Sequence, residues 1–149
     1  MKYKDEILTK TKELAKLMAE NPELPIVPMV DQEICDGTDF NYTLGQYENC
    51  KKSKICITVD IVYEYSEDDE IRASDAAEIL YSLIDYEPAK FEGIKRILVE
   101  NGDLTAEKAA AIKTSDDIYD LTDAQLLLFY DFFDWIDCIQ IFVEPAELI

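Results

Sequence analysis

Carboxylates are the functional group this chain supplies in pattern. Of its 149 residues 33 are Asp or Glu against 14 Lys or Arg, a formal charge of −19. They gather at Glu67, Asp68, Asp69 and Glu70 in SEDDE, at Asp116, Asp117 and Asp120 in TSDDIYD, and at Asp131 and Asp134 in YDLTDAQLLLFYDFFDWID. Carboxylates three residues apart on a helix lie about 5–6 Å from each other, not far from the spacing of successive phosphates along a nucleic-acid strand. Such an array can meet a Lys/Arg-lined groove in place of a polyanion, with Tyr119 and Trp135 as aromatic anchors beside it.

Other chemistries lack their parts. The chain has no histidine, which removes Ser-His-Asp and Cys-His nucleophilic pairs. Four glycines form neither GxxxxGK[ST] nor GxGxxG, so no phosphate loop exists. Neither DQEICDGTDF nor YSEDDEIRA carries the alternating oxygen ligands, glycine and glutamate of a calcium-binding EF-hand loop. A carboxylate pair acting with a divalent metal stays open as an enzyme reading, but among 33 acids it has no specificity. The expectation is a protein without enzymatic activity, catalytic residue, cofactor or metal. Cys35, Cys50, Cys56 and Cys138 form no CxxC pair and are expected as reduced thiols; a Cys50–Cys56 bridge requires an oxidising compartment.

The acidity is lopsided. Residues 1–60 carry eight bases and eleven acids, net −3, whereas residues 61–149 carry six and twenty-two, net −16. Nucleic acid and anionic membranes are repelled by such a field, and Lys51, Lys52 and Lys54 are too few to reverse it. MKYKDEILTK lacks the apolar core of a signal peptide and no apolar run reaches membrane-spanning length, so a cytoplasmic protein is expected. At 48% hydrophobic residues the chain has the apolar surface to fold, as one domain over residues 1–149.

The elements that must position these acids follow from periodicity. Residues 3–20 place Ile7, Leu8, Leu14, Leu17 and Met18 on one face of an amphipathic helix that ends at Asn21-Pro22. Pro25 and Pro28 confine PELPIVPMVDQEIC to an edge or irregular strand. DGTDFNYTLGQYENCKKSK reads as turns around a short strand, and ICITVDIVYEY as the clearest strand. Ser74 offers an N-cap for SDAAEILYSLIDYE, a further helix is expected over Lys90–Glu100 with Gly102 in its cap, and Thr105 caps AEKAAAIK. TSDDIYD is turn-like, Thr122 and Gln125 form a capping box, and CIQIFVEP closes the chain as a strand. The order predicts an α+β fold, an antiparallel sheet with amphipathic helices packed on one face.

At 100° per residue from Leu126, a helix continuing through Ile136 puts Phe129, Tyr130, Phe133 and Ile136 on its core face. Asp123, Asp131 and Asp134 then share one edge, and Leu128, Phe132 and Trp135 form an oily back. Asp123 suits the first turn, whereas Asp131 and Asp134 oppose the helix dipole.

The layout over residues 7–70, an amphipathic helix, NPELPIVPMVDQEIC, a turn containing YTLGQY and a strand ending in acids, resembles small proteins of bacterial phages and prophages. Acidic α+β proteins of that kind resemble anti-CRISPR inhibitors. That resemblance implies a stoichiometric binder in the bacterial host cytoplasm that occupies the basic groove of a nucleic-acid-binding protein such as a CRISPR effector nuclease, through nucleic-acid mimicry. The competing readings are a homo-oligomeric structural or adaptor protein of a mobile element, dimerising through the oily back with its acidity serving solubility, and a metal-dependent enzyme.

Overall fold

The computed structural model of the protein describes residues 2–30, 45–59 and 61–145. Helix α1 (Lys2–Glu20) leads into strands β1 (Ile26–Val30), β2 (Gly45–Thr58) and β3 (Ile61–Glu64). Helices α2 (Asp69–Tyr86), α3 (Pro88–Glu100) and α4 (Ala106–Ala111), a 3-10 turn (Ser115–Asp120), helix α5 (Asp123–Tyr130) and strand β4 (Ile136–Pro145) follow. The α+β class expected from the sequence is the one observed. Its sheet is mixed rather than antiparallel: the strand order is β1-β4-β2-β3, with β1 parallel to β4 and β2 antiparallel to β3. The chain divides into two compact units, Met1–Lys54 with Asp137–Ile149, and Ile55–Ile136.

In the first unit, α1 closes where Asn21 donates its side-chain Nδ2 to the Leu17 carbonyl at 3.0 Å. Its apolar stripe is only partly covered: Leu14 and Leu17 are half-buried, while Ile7, Leu8 and Met18 are 45%, 45% and 40% exposed. Strand β1 lies at the sheet edge, where its proline is tolerated, with Pro28 opposite Ile141. Pairing runs from Ile26↔Ile139 to Val30↔Val143, and the Ile139 N–H extends it to the Pro25 carbonyl at 2.8 Å. Gln140 on β4 is fully buried and accepts from the Ser53 hydroxyl at 2.6 Å. Residues 31–44, the end of the expected PELPIVPMVDQEIC strand and the first part of the expected turn region, lie outside the described ones, as does Cys35. Lys51, Lys52, Ser53 and Lys54, expected in a turn, are instead strand residues of β2. Cys50, Cys56 and Cys138 are free thiols.

The second unit holds a core built by α2, α3 and α5. Ala76, Ile79, Leu80 and Leu83 of α2 are buried with Phe91 and Leu98 of α3 and Leu126, Phe129 and Tyr130 of α5. Each large apolar side chain so buried contributes about 1.5–3 kcal/mol before entropy is counted. The rings of Phe91 and Phe129 stack with centroids 6.2 Å apart. Gly102, at φ +79, caps α3 as its position predicts, with the Asp103 N–H returning to the Leu98 carbonyl at 2.9 Å.

Three further elements depart from the sequence reading. ICITVDIVYEY is a hairpin: Thr58 pairs with Ile61, and the turn holds Val59 at φ 56, where a β-branched residue is strained. Helix α2 begins at Asp69 rather than near Ser74, because Asp68 is the N-cap and accepts from the Ile71 N–H at 3.1 Å. Helix α5 stops at Tyr130. The Tyr130 carbonyl accepts from the Trp135 ring Nε1 at 2.7 Å and from the Phe133 N–H at 3.4 Å, and the Phe132 N–H tightens onto Phe129 at 3.0 Å. Those bonds replace the next helical turn, so Asp131 is the C-cap, and Ile136, 41% exposed, begins β4 instead of facing the core.

Candidate acidic interface

The expected helix edge of Asp123, Asp131 and Asp134 does not form, because only Asp123 lies on α5. Each of the other two has a cationic partner. Asp131 accepts from the Tyr65 hydroxyl at 2.9 Å and takes Arg72 Nη2 on both oxygens at 3.2 and 3.3 Å. Asp134 holds Lys90 Nζ at 2.6 Å, and this contact raises the lysine's pKa above its ordinary value. Both carboxylates nevertheless remain more than half exposed, at 59% and 69%.

Around Asp131 the guanidinium of Arg72 lies 4.8 Å from the centroid of Tyr130 and 5.9 Å from that of Tyr65. The Trp135 ring sits 4.8 Å from Tyr130 and 5.1 Å from Tyr65. This aromatic cluster packs on the core and already encloses a cation. Trp135 is therefore half-buried packing rather than the exposed anchor expected. Leu128 and Phe132 also pack against the core, so the oily back is largely covered by the chain itself.

Two more acids have structural work. Asp68 caps α2, and Asp117 accepts from the N–H groups of Lys113 and Thr114 at 2.8 and 2.9 Å. Those N–H groups, Thr114 first, hold the Asp117 carboxyl below the usual carboxylate range. Asp69 and Glu70 lie in the first turn of α2, where negative charge complements the macrodipole, and Asp69 reaches Arg72 at 3.4 Å.

What remains for a partner is a different subset. Among the described residues Glu67, Glu70, Asp116 and Asp120 are exposed and accept no hydrogen bond or ion pair. Tyr119, 77% exposed, meets Tyr81 edge-on at 5.5 Å, so its ring is held while most of it faces solvent. Burial, then Tyr119, Asp116 and Asp85, push the Tyr81 phenol up to about 12. Burial and the Tyr119 contact dominate that shift, and the carboxylates of Asp116 and Asp85 add to it.

Sequence reasoning missed Asp75, Glu78 and Asp85. Their spacing of three and then seven residues sets them along one side of α2. Burial, then Glu78, raises the Asp75 carboxyl above its ordinary value, and burial, then Glu78, pushes the Tyr63 phenol up to about 12. The signal was present as the i, i+3, i+10 pattern in SDAAEILYSLIDYE, overlooked because the apolar stripe was read and the opposite one was not. Among the described residues no group of three or more Cys, Asp or Glu side chains is placed to hold a metal ion, and no helix is long and apolar enough to cross a membrane. No protein-family model, no curated protein and no solved structure matches the chain.

Proposed function

We propose that the protein is a non-enzymatic binder that occupies the basic, nucleic-acid-contacting groove of another protein, its carboxylates standing where phosphates would. The setting proposed is the cytoplasm of a bacterial host and the target a defence nuclease, in the manner of anti-CRISPR inhibitors. The observation that carries the reading is the charge of the Ile55–Ile136 unit: 20 acids against six bases, net −14. Three of the six, Arg72, Lys90 and Lys95, are already held by acids of that unit. Exposed acids of this unit include Glu67 with Glu70, Glu78 and Asp85 of α2 beside the half-buried Asp75, and Asp116 with Asp120. Fields of this size steer association with a positively lined cleft and weaken as salt rises.

The test is affinity capture from bacterial lysate with the purified protein, washed at low and high salt. A captured nucleic-acid-binding protein that competing DNA or RNA releases, and that a variant carrying Glu67→Gln, Glu70→Gln, Asp116→Asn and Asp120→Asn fails to hold, is the expected result. Recovery of the bait alone, or a complex indifferent to both salt and nucleic acid, overturns the proposal.

The homo-oligomeric reading now has a different supporting observation. Leu128, Phe132 and Trp135 pack on the core, whereas Ile7, Leu8 and Met18 of α1 are among the large apolar residues left open and share one helix face. Sedimentation at two salt concentrations separates the readings, since self-association through that stripe persists at high salt.

A further inference from the structure

A cleft of about 250 Å³ opens in the Ile55–Ile136 unit, walled by side chains of α2, α3 and the turn that follows α5. Ile79, Leu83, Ile94, Ile97, Phe132 and Phe133 make it apolar, and Glu87 and Asp134 stand at it with Lys90 between them. A dry cavity of about 150 Å³ holds benzene, so this one has room for a large side chain. Its base includes the Cys56 thiol, pushed up to about 11 by burial and then by Asp134, so the sulfur is neutral and adds no charge to the cleft.

Gly93 lines the same cleft from the interior of α3. A glycine there costs about 1 kcal/mol relative to alanine. Such a glycine is normally explained by a left-handed backbone or by a neighbour too close for a side chain. Neither applies: Gly93 is helical, and a Cβ placed on it meets nothing within 4 Å, in contrast to Gly102 at φ +79. The open space that a side chain at position 93 would enter is the cleft.

We infer that this cleft is the docking pocket for one aromatic side chain of the basic partner, carried in a segment flanked by Lys or Arg, and that Gly93 keeps it open. The inference rests on the proposed function and deepens it. Apolar walls select the ring, and the Glu87 and Asp134 carboxylates, one charge in excess of Lys90, select its cationic flanks. An aromatic anchor surrounded by charge supplies the short-range fit that a diffuse acidic surface lacks.

The experiment is an NMR titration of the whole chain with two synthetic peptides, Lys-Lys-Trp-Lys-Lys and Lys-Lys-Ala-Lys-Lys, and with free indole. The Trp peptide is expected to bind about tenfold more tightly than the Ala peptide and to shift the amides of Ile94 and Phe133. Gly93→Leu, which fills the cleft, is expected to erase that preference while the Ala peptide binds as before. Gly93→Ala is expected to raise Tm and keep the preference, which separates loss of the pocket from loss of fold. Equal binding of the two peptides overturns the pocket and leaves the acidic-surface reading standing, whereas binding of neither overturns both. Indole binding as tight as the Trp peptide assigns the cleft to a free small molecule, and self-association lost in Gly93→Leu assigns it to a second copy; each overturns the inference.

Discussion

Two side chains in the second unit define what a charge does here. Lys95 is 6% exposed, yet its Nζ donates to the carbonyls of Ala109 and Ile112 at 3.1 and 2.9 Å and to Glu92 at 3.0 Å. It thereby ties α3 to the C-terminal end of α4, where carbonyls lack helical partners. Replacing it by methionine keeps the bulk but leaves those carbonyls unpaired, so Lys95→Met is expected to destabilise the protein by about 2–3 kcal/mol in urea titration. Asp131→Asn removes the bidentate partner of Arg72, but at a site more than half exposed. The expected loss is about 1 kcal/mol, measured the same way. An unchanged midpoint for either variant would show that the contact contributes nothing to the folded state.

At the scale of elements, strain is concentrated in the β2–β3 hairpin. Val59 adopts a backbone that favours glycine or asparagine and is 67% exposed, so little packing holds it there. Val59→Gly is expected to raise the urea midpoint by an amount equivalent to about 1 kcal/mol. This turn also shows where the sequence was hard to read. A two-residue turn with valine in first place and no glycine carries no turn signal, so β2 and β3 read as one strand. Capping was legible at Thr105, Gly102 and the Thr122–Gln125 box, each a local bond between near neighbours, but not at Ser74, where Asp68 supplied the cap more than one helical turn earlier. The end of α5 was not legible, since it depends on the Trp135 ring reaching back to the Tyr130 carbonyl. For the same reason Asp131 and Asp134 looked like unexplained acids: their cations, Arg72 and Lys90, lie far off in sequence. The parallel partner of β1 was equally hidden, because alternation marks a strand and not its direction.

For the whole molecule, a charge of −19 makes stability depend on pH and salt. Asp75 has its folded pKa raised, so the folded state takes up that proton first and the protein gains stability as pH falls through the raised value to the ordinary carboxylate pKa, below which the gain is complete. Asp117 has its folded pKa lowered, so its contribution is complete above the ordinary carboxylate pKa and is lost as pH falls through the depressed one. Thermal unfolding is therefore expected to show Tm rising on mild acidification and falling again at lower pH. Asp75→Asn should flatten the rise and Asp117→Asn the fall; a Tm that only declines from neutrality would show that self-repulsion and Asp75 are negligible.

The parallel pairing of β1 with β4 has a consequence for the order in which the molecule assembles. Residues 55–136 form one continuous stretch, whereas the other unit draws on both sides of it and joins Ile26 to Ile139. Closing so long a loop is slow, and on the ribosome β4 emerges after all of the residues between. The acidic unit is thus positioned to fold first, in one piece, while β1 waits as an unpaired strand whose proline withholds a hydrogen-bond donor from any wrong partner.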